Sequence, residues 1–289
     1  MRILSIQSHV AYGYVGNRAA VFPLQRLGHE VWAVNTVDFS NHTGYGAWRG
    51  RVAGADQVRE VVEGVRERGV FPGCDAVLTG YLGDAALGAV AMDAARAVRA
   101  ANPAAVWCCD PVIGDVESGV FVRPGIAEFF RDVAIPAADI VTPNHFELEL
   151  LTGRTVATLA DAVDAARTLL GVGAAGHHPR VTLVTSLRRA AAAADTIEML
   201  AVTERAAWTV ATPLLAFDPA PNGTGDAVAA LFLARWLETR DPGAALGFAA
   251  SAIFAVLAAT VAAGGRELRL VEAQDAMVAP PRRFDAVPV

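Results

Sequence analysis

Short apolar runs of strand-forming residues alternate along this chain with longer segments of helical periodicity. The predicted strands are Arg2–Gln7, Glu30–Asn35, Ala76–Thr79, Ala105–Asp110, Asp139–Thr142 and Val181–Thr185. The helical patterns between and beside them are Asn17–Leu27, Ala55–Arg68, Ala85–Ala100, Gly125–Val133, Phe146–Leu151 and Leu159–Leu170. Several strand segments are apolar throughout, which is typical of parallel strands covered by helices on both faces. The alternation predicts an α/β fold with a doubly wound, mostly parallel central sheet flanked by helices.

The last third of the chain predicts an antiparallel pair of strands followed by two helices. These elements are Met199–Val202, Ala207–Val210, and helices that begin at Gly225 and Pro242. Neither a change in composition nor an internal repeat divides the chain, so we predict one domain over residues 1–289 and no separate lid domain. Gly171–Pro179 and Arg188–Asp195 are predicted loops, and the alanine-rich second loop is expected to form a flap over a site.

Charge and cysteine content narrow the classes of partner and compartment. The net charge of -6 and the pI of about 5.5 argue against nucleic acid or an anionic membrane as a partner. Three cysteines, Cys74, Cys108 and Cys109, are too few for a disulfide framework and indicate a reducing, cytoplasmic setting. The first residues become polar too soon for a secretory signal peptide.

One segment, Ala244–Ala263, has the length of a membrane span and carries no charge over 20 residues. Its high alanine content dilutes its hydrophobicity. Asp241-Pro242 before it suits a helix start, and Gly264-Gly265 after it suits a helix end. We therefore predict a helix buried in a globular protein.

Polar residues gather where the predicted strands end, which is where open α/β sheets bind ligands. They are Ser8 after the first strand, Asn35 to Thr43 after the second, Gly80-Tyr81 after the third, Asp110 at the end of the fourth, Thr142 and Asn144 at the fifth, and Thr185-Ser186 at the sixth. This convergence predicts a binding site at one edge of the sheet.

The run Asn222-Gly223-Thr224-Gly225-Asp226 opens a predicted helix. Its glycines allow close backbone approach, and the free N–H groups of a helix start bind anions. A carboxylate at such a place would repel a phosphate, unless Asp226 takes a proton from a hydroxyl that attacks it. The alternative is an ordinary aspartate in the first turn of a helix, and these five residues alone do not decide between the two.

Two further segments carry carboxylates that suit Mg²⁺ and phosphate chemistry. Asp110 and Asp115 flank a turn at a strand end, and Mg²⁺ prefers such oxygen ligands. Asn144 and Glu147 are three residues apart at a helix start, which also fits a simple capping box. The polar and aromatic run Ser40–Gly46 could hold a small heteroaromatic ring, or be a plain turn. The chain contains neither a P-loop motif nor the G-x-G-x-x-G fingerprint of dinucleotide sites.

Taken together, these motifs resemble the ribokinase superfamily, and within it the pyridoxal kinase family, over nearly the whole chain. The resemblance is carried by Gln7–Val10, Tyr14–Ala20, Phe22–Gln25, Phe39–Tyr45, Leu78–Tyr81, Cys109–Asp115, Thr142-Pro143-Asn144 with Glu147, and Gly223–Asp226. The last two are general superfamily signatures, whereas Phe39–Tyr45 is specific to kinases of vitamin B6.

The resemblance implies ATP-dependent phosphorylation of the 5′-hydroxymethyl group of pyridoxal, and often of pyridoxine and pyridoxamine. It assigns Asp226 as general base and Gly223, Thr224 and Gly225 as the anion hole. The residues it implies for the substrate ring are Ser8, Thr43, Gly44 and Tyr81. Those it implies for the nucleotide are Asp110, Thr142, Asn144, Glu147, Thr185, Ser186, Thr212, Pro213, Leu214 and Leu215. It further implies Mg²⁺ near Asp110, Asp115 and Glu147, a monovalent cation such as K⁺, and a homodimer.

The chain departs from the superfamily pattern at three places. Ala220 stands where many members carry an aspartate, as is common in pyridoxal kinases. Ala190–Ala194 replaces a more polar flap, and Thr185 stands where one bacterial branch carries lysine. Two alternative functions stay open: a hydroxymethylpyrimidine kinase of the same superfamily, and a non-catalytic carrier or sensor of vitamin B6.

Overall fold

The computed structural model describes residues 1–171, 180–189 and 191–289. Residues 172–179 of the predicted loop Gly171–Pro179 and residue 190 of the predicted flap lie outside the described residues. The strands are β1 Arg2–Val10, β2 Glu30–Phe39, β3 Gly50–Val52, β4 Ala76–Thr79, β5 Val106–Cys109, β6 Gly114–Asp115, β7 Gly119–Val120, β8 Ile140–Val141, β9 Val181–Leu187, β10 Thr196–Val202, β11 Ala207–Pro213 and β12 Val287–Pro288. The α-helices are α1 Asn17–Arg26, α2 Ala55–Glu67, α3 Ala86–Ala101, α4 Ile126–Phe129, α5 Ile135–Ala137, α6 His145–Thr152, α7 Leu159–Leu170, α8 Thr224–Thr239, α9 Pro242–Ala262 and α10 Gln274–Val278. A π-helical turn, Phe130–Ala134, joins α4 to α5.

One ten-stranded sheet, in the order β12-β11-β10-β9-β8-β5-β4-β1-β2-β3, forms the centre of the described chain. Neighbouring strands from β9 through β2 are parallel. The strands at both edges, β10–β12 and β3, pair antiparallel. The doubly wound, mostly parallel α/β fold is therefore confirmed, as is the late antiparallel pair, in which Met199 lies opposite Val210. A two-stranded ribbon of β6 and β7 stands apart from the sheet.

Helices cover both faces of this sheet, which explains why its strands are apolar throughout. Successive residues of β1 show the alternation, since Ile3 packs into one core and Leu4 into the other. Helices α2, α3, α6 and α7 bury their apolar sides on the Leu4 face. Helices α1, α8 and α9 do so on the Ile3 face.

Helix α9 is the segment that sequence alone placed between membrane span and core helix. Asp241 caps it by accepting hydrogen bonds from the N–H groups of Gly243 and Ala244, at 2.9 and 3.1 Å, and Pro242 is its first residue. It is the one helix, among the described residues, that is long and apolar enough to cross a membrane. It packs on α8 and β11, and Ala245, Leu246, Ala249 and Ala250 are fully buried in the core. The prediction of a helix buried within the fold is confirmed.

The ends of four strands were predicted too short. Strand β1 continues to Val10, β9 to Leu187 and β11 to Pro213, so Ser8 and Ser186 lie within strands instead of after them, and Thr185 does not end its strand. Strand β2 continues to Phe39, because its polar residues pair with β1 on one side and β3 on the other. In the β1–β2 register Gln7 faces Asn35 but His9 faces Asp38, so β2 carries one extra residue opposite Ser8. Bulges of this kind change the direction of nearby side chains and are common beside active sites.

Candidate active site

A cavity of about 240 Å³ lies at the carboxyl ends of the parallel strands, beside the start of α8. The structure brings most of the predicted site residues to its wall. They are Ser8, Thr43, Tyr81, Asp110, Asp115, Thr142, Asn144, Glu147, Thr185, Ser186, Gly223, Gly225 and Asp226. Residues from widely separated strands thus share one site, as expected for a doubly wound sheet.

A few predicted site residues do not line this cavity. Gly44 accepts a hydrogen bond at its carbonyl from Arg266, at 2.8 Å, and the Thr224 hydroxyl donates to the Pro221 carbonyl at 3.3 Å. Thr212–Leu215 lies at the end of β11, where the Leu214 N–H donates to the Asp195 carbonyl at 2.7 Å. Gly44 and Thr224 directly neighbour lining residues, whereas Thr212–Leu215 stands apart from the cavity.

The glycine-rich turn before α8 packs backbone to backbone against the turn that follows β1. Gly223 is the N-cap of α8 and has a φ of 84°, a left-handed conformation that favours glycine. A Cβ atom at this position would lie 1.7 Å from the Tyr14 carbonyl oxygen. Across the same contact, a Cβ on Gly16 would lie 2.3 Å from the Ser8 hydroxyl. Gly223 and Gly225 line the cavity, so the first N–H groups of α8 lie beside it, where they can bind an anion.

Asp226 lies in the first turn of α8 and faces this cavity. Burial of its carboxyl group raises the pKa to about 6, although hydrogen bonds from the backbone N–H groups of Gly16 and Asp226 itself oppose the increase. A carboxyl group with a pKa near 6 is a better proton acceptor than an ordinary aspartate, and it is ionised at neutral pH.

Asp110 follows β5 directly and is buried. The Thr142 hydroxyl donates a hydrogen bond of 2.8 Å to its Oδ1. Burial, and then the nearby carboxylates of Asp226 and Glu147, hold the pKa of Asp110 well above its usual range. Among the described residues that line the cavity there is no arginine, and the chain contains no lysine. Within the described lining, the carboxylates therefore have no arginine or lysine as counter-charge.

Asn144 and Glu147 form the capping box at the start of α6. The Asn144 side chain accepts from the Glu147 N–H, and Glu147 Oε2 accepts from the Asn144 N–H, both at 2.9 Å. Glu147 Oε1 also accepts from the N–H groups of Ile113 and Gly114, at 2.8 and 3.3 Å. Burial raises the pKa of Glu147 to about 7 against these hydrogen bonds. Glu147 therefore shapes the β5–β6 turn as well as capping the helix.

Asp115, the third predicted metal ligand, makes hydrogen bonds within its own turn. Its Oδ1 accepts from the N–H groups of Glu117 and Ser118, at 2.9 and 2.6 Å. Within residues 1–171, 180–189 and 191–289, no group of three or more His, Cys, Asp or Glu side chains is arranged to hold a metal ion. Asp110, Asp115 and Glu147 all line the cavity, so Mg²⁺ near these three carboxylates stays a prediction. A bound Mg²⁺ would take its other ligands from phosphate and water.

The structure adds an apolar and aromatic wall that was not assigned from the sequence. The additional lining residues are Val10, Val15, Val37, Phe39, His42, Val112, Gly114, Phe121 and Asn222. Val10, Val37 and Phe39 reach the cavity because β1 and β2 run further than predicted. The wall gives the cavity one polar, acidic side and one side suited to a flat ring.

Comparisons with known proteins identify the family of the chain. Residues 54–269 match the family model described as phosphomethylpyrimidine kinase. The chain is 58% identical over 285 residues to a protein described as pyridoxal kinase PdxY from Rubrobacter xylanophilus, covering 98% of this chain and 96% of that protein. It is 54% identical over 285 residues to a protein of the same description from Deinococcus radiodurans, covering 98% and 95%.

Solved structures show the same fold. The pyridoxal kinase from Leishmania donovani in complex with ADP and pyridoxine has a TM-score of 0.89 at 30% identity, covering 100% of this chain and 99% of that one. The structure of the same enzyme with ADP and pyridoxamine matches equally well.

The fold and the site together define a kinase of the ribokinase-like class. The glycine-rich helix start, the acid in its first turn and the cavity beyond the strand ends lie together in one place. With relatives at 58% and 54% identity over nearly their full length, the chain belongs to the pyridoxal kinase family.

Proposed function

We propose that this chain transfers the γ-phosphoryl group of ATP to the 5′-hydroxymethyl group of pyridoxal, and that it acts in the salvage of vitamin B6. The single observation that carries the proposal is the position of Asp226. Its carboxyl group lies in the first turn of α8, beside free helix N–H groups, and faces a cavity with an aromatic wall. The crystallised relatives with ADP and pyridoxine or pyridoxamine support this choice of ligands.

Asp226 accepts the proton of the 5′-hydroxyl group as that oxygen attacks the γ-phosphorus. A new O–P bond forms, the bond from the γ-phosphorus to the bridging oxygen breaks, and ADP leaves with the electron pair. The N–H groups of Gly223, Thr224 and Gly225 stabilise the negative charge on the phosphoryl oxygens. Positioning and charge stabilisation account for most catalysis of phosphoryl transfer.

The substrate ring lies against residues of the first two strands and the loop after them. Ser8 and Thr43, with Gly44 beside it, bind its polar groups, and Tyr81 packs on its face. Thr185, Ser186 and Asn144 border the nucleotide phosphates, and Thr212–Leu215 borders the adenine. The apolar side chains of Val37 and Phe39 exclude water from the ring.

The acidic side of the cavity fits a divalent cation, because Asp110 and Glu147 are buried carboxyl groups with raised pKa values and neither arginine nor lysine is among the described lining residues. Asp110, with Asp115 and Glu147 directly or through water, would hold Mg²⁺ on the ATP phosphates. The ion supplies neutralisation of phosphate charge. Thr142 orients the Asp110 carboxylate through its hydrogen bond.

Three finer features belong to the same proposal and rest on the resemblance to the family. They are activation by a monovalent cation such as K⁺, a homodimer, and a cytoplasmic location. Three free cysteines, all buried, fit a reducing compartment. Exchange of K⁺ for tetramethylammonium tests the cation, and light scattering of the purified protein tests the dimer.

A substrate panel tests the proposal. Pyridoxal, pyridoxine, pyridoxamine and hydroxymethylpyrimidine are each incubated with ATP, Mg²⁺ and K⁺, and the product is identified by mass. We expect the phosphate ester of pyridoxal. A preference for hydroxymethylpyrimidine would indicate the pyrimidine kinase that the matching family model describes. Binding of pyridoxal without any phosphate ester would indicate a carrier or sensor.

The pH dependence of turnover follows from the raised pKa of Asp226. The base must be ionised, so kcat/KM is expected to rise with pH and to level off above about 7, because the pKa is about 6. At pH 5 kcat/KM should be lower by roughly tenfold. Asp110 and Glu147 titrate beside Asp226, so the acid limb reports the three carboxyl groups together. An assay of kcat/KM from pH 5 to 8.5 measures this, and a flat profile would contradict the base assignment.

A further inference from the structure

Glu267 lies in the segment between α9 and α10 and reaches the loop His42–Tyr45. His42 Nε2 and the Tyr45 hydroxyl both lie within hydrogen-bond distance of Glu267 Oε1, at 3.0 and 2.7 Å. Glu267 Oε2 accepts from the Tyr14 N–H at 3.1 Å. One carboxylate thus joins the turn after β1 to the loop that carries Thr43.

The neighbouring residue, Arg266, also contacts this loop. Its guanidinium donates to the Gly44 carbonyl at 2.8 Å and lies 4.0 Å from the centre of the Tyr45 ring. Gly13 leaves room for the Glu267 carboxylate because it has no side chain. A Cβ atom at Gly13 would lie 2.4 Å from Glu267 Oε2. Residues 266 and 267 therefore hold the loop through its backbone, an aromatic ring and an imidazole.

Glu267 is a partly buried charge with no place in the proposed chemistry. Its side chain is 14% exposed, and it is not among the residues that line the cavity. Burial alone would raise its pKa, but the hydrogen bonds from His42, Tyr45 and the Tyr14 N–H together hold it below its usual range. Glu267 is therefore an ionised carboxylate that accepts hydrogen bonds from the loop His42–Tyr45 and from the turn after β1.

The contact with Glu267 also orients the imidazole of His42. When Nε2 donates to Glu267, Nδ1 is left as the free nitrogen, and it has no hydrogen-bond partner within the described chain. Gly44 packs closely against this imidazole, because a Cβ atom at Gly44 would lie 3.0 Å from both His42 Nδ1 and the Asn222 amide nitrogen. His42 lines the cavity, so the carboxylate controls the position of a wall residue.

We propose that Glu267 is a positioning residue which holds the loop His42–Tyr45 in the shape that binds the alcohol substrate. It sets the affinity for that substrate, and it leaves nucleotide binding and the phosphoryl-transfer step nearly unchanged. The inference rests on the proposed function, because it assigns that loop to the substrate ring.

The test is Glu267→Gln, assayed with pyridoxal and ATP varied separately. An amide keeps only one acceptor oxygen, so either its NH₂ group meets the Tyr14 N–H, or His42 Nε2 and the Tyr45 hydroxyl must change from donors to acceptors. We expect the KM for pyridoxal to rise roughly tenfold or more, with the KM for ATP within about twofold and kcat within about threefold. Glu267→Asp retains the charge and is expected to recover part of the affinity.

The matched control is Glu272→Gln, in the same segment. That side chain is 56% exposed and pairs with Arg269 at 3.0 Å, so its neutralisation should leave both KM values unchanged. A second variant, Tyr45→Phe, removes one donor to Glu267 and retains the ring. It should raise the KM for pyridoxal by roughly two- to fivefold.

Equal increases in both KM values, or a KM for pyridoxal within twofold of wild type in a variant with unchanged Tm, would overturn the inference. If Glu267→Gln does not fold, an unchanged KM for pyridoxal in Tyr45→Phe overturns it instead. If wild type forms no phosphate ester, the proposed function fails. Equilibrium binding of pyridoxine to wild type and Glu267→Gln then decides the role of Glu267 separately.

Discussion

Replacement of Asp226 by asparagine is expected to lower kcat by roughly 10²–10⁴-fold, because an amide cannot accept the proton of the 5′-hydroxyl group. The KM values for ATP and pyridoxal should change little, since asparagine has the same shape and remains in the first turn of α8. A steady-state assay of ADP release measures kcat, and calorimetric titration with ADP measures nucleotide binding.

The Tm of Asp226→Asn distinguishes a loss of catalysis from a loss of the folded structure. The folded protein raises the pKa of Asp226 to about 6, so the ionised form is disfavoured in the native state above that pH. A neutral amide avoids this penalty, and the Tm of Asp226→Asn at pH 8 should therefore equal or exceed that of wild type. Asp241→Asn, the same chemical change at the cap of α9, is the matched control and should leave kcat unchanged. Near-normal turnover in Asp226→Asn would refute the base assignment.

Replacement of Gly223 by alanine is the second change with a large expected effect. A non-glycine residue at a φ of 84° costs about 1–2 kcal/mol. The added Cβ would lie 1.7 Å from the Tyr14 carbonyl, so the two turns must move apart. We expect the Tm to fall by about 2–8 °C, and kcat/KM to fall by about 10²-fold because the anion-binding N–H groups are displaced.

Gly225→Ala is the control for this substitution. A Cβ atom at Gly225 would have no atom within 4 Å, and its backbone is helical. Alanine is the better helix former, so the Tm should be unchanged or slightly higher. Because Gly225 lines the cavity, only the Tm values of the two variants are compared. Equal Tm values for Gly223→Ala and Gly225→Ala would show that the close contact with Tyr14 does not constrain the turn.

Elements with a strong local pattern could be predicted from the sequence. The parallel strands are recognisable because two helix layers make them apolar throughout, and the Asn144–Glu147 capping box is recognisable from its spacing of three. The convergence of polar residues at one edge of the sheet follows from the direction of parallel strands. Asp110 and Thr142 could be placed at the cavity in this way, whereas Asp226 was predicted from the glycine-rich helix start.

Features that depend on distant partners could not be predicted. Strand β2 continues through Asn35, Thr36 and Asp38 because β1 and β3 supply its hydrogen bonds, and no local signal overcomes their polarity. Glu147 also binds the N–H groups of Ile113 and Gly114, more than 30 residues away. Glu267 and His42 are 225 residues apart in the sequence, so no local pattern at either residue predicts their contact.

Transfer of the terminal phosphate of ATP to pyridoxal, with Asp226 as the base, can be followed directly with a label. Wild type and Asp226→Asn are incubated with γ-labelled ATP, Mg²⁺, K⁺ and pyridoxal, and the labelled product is separated and identified. We expect one labelled pyridoxal 5′-phosphate per ADP formed by wild type, and a rate lower by roughly 10²–10⁴-fold in Asp226→Asn. ADP formation without labelled pyridoxal 5′-phosphate, or equal rates for the two proteins, would contradict this mechanism.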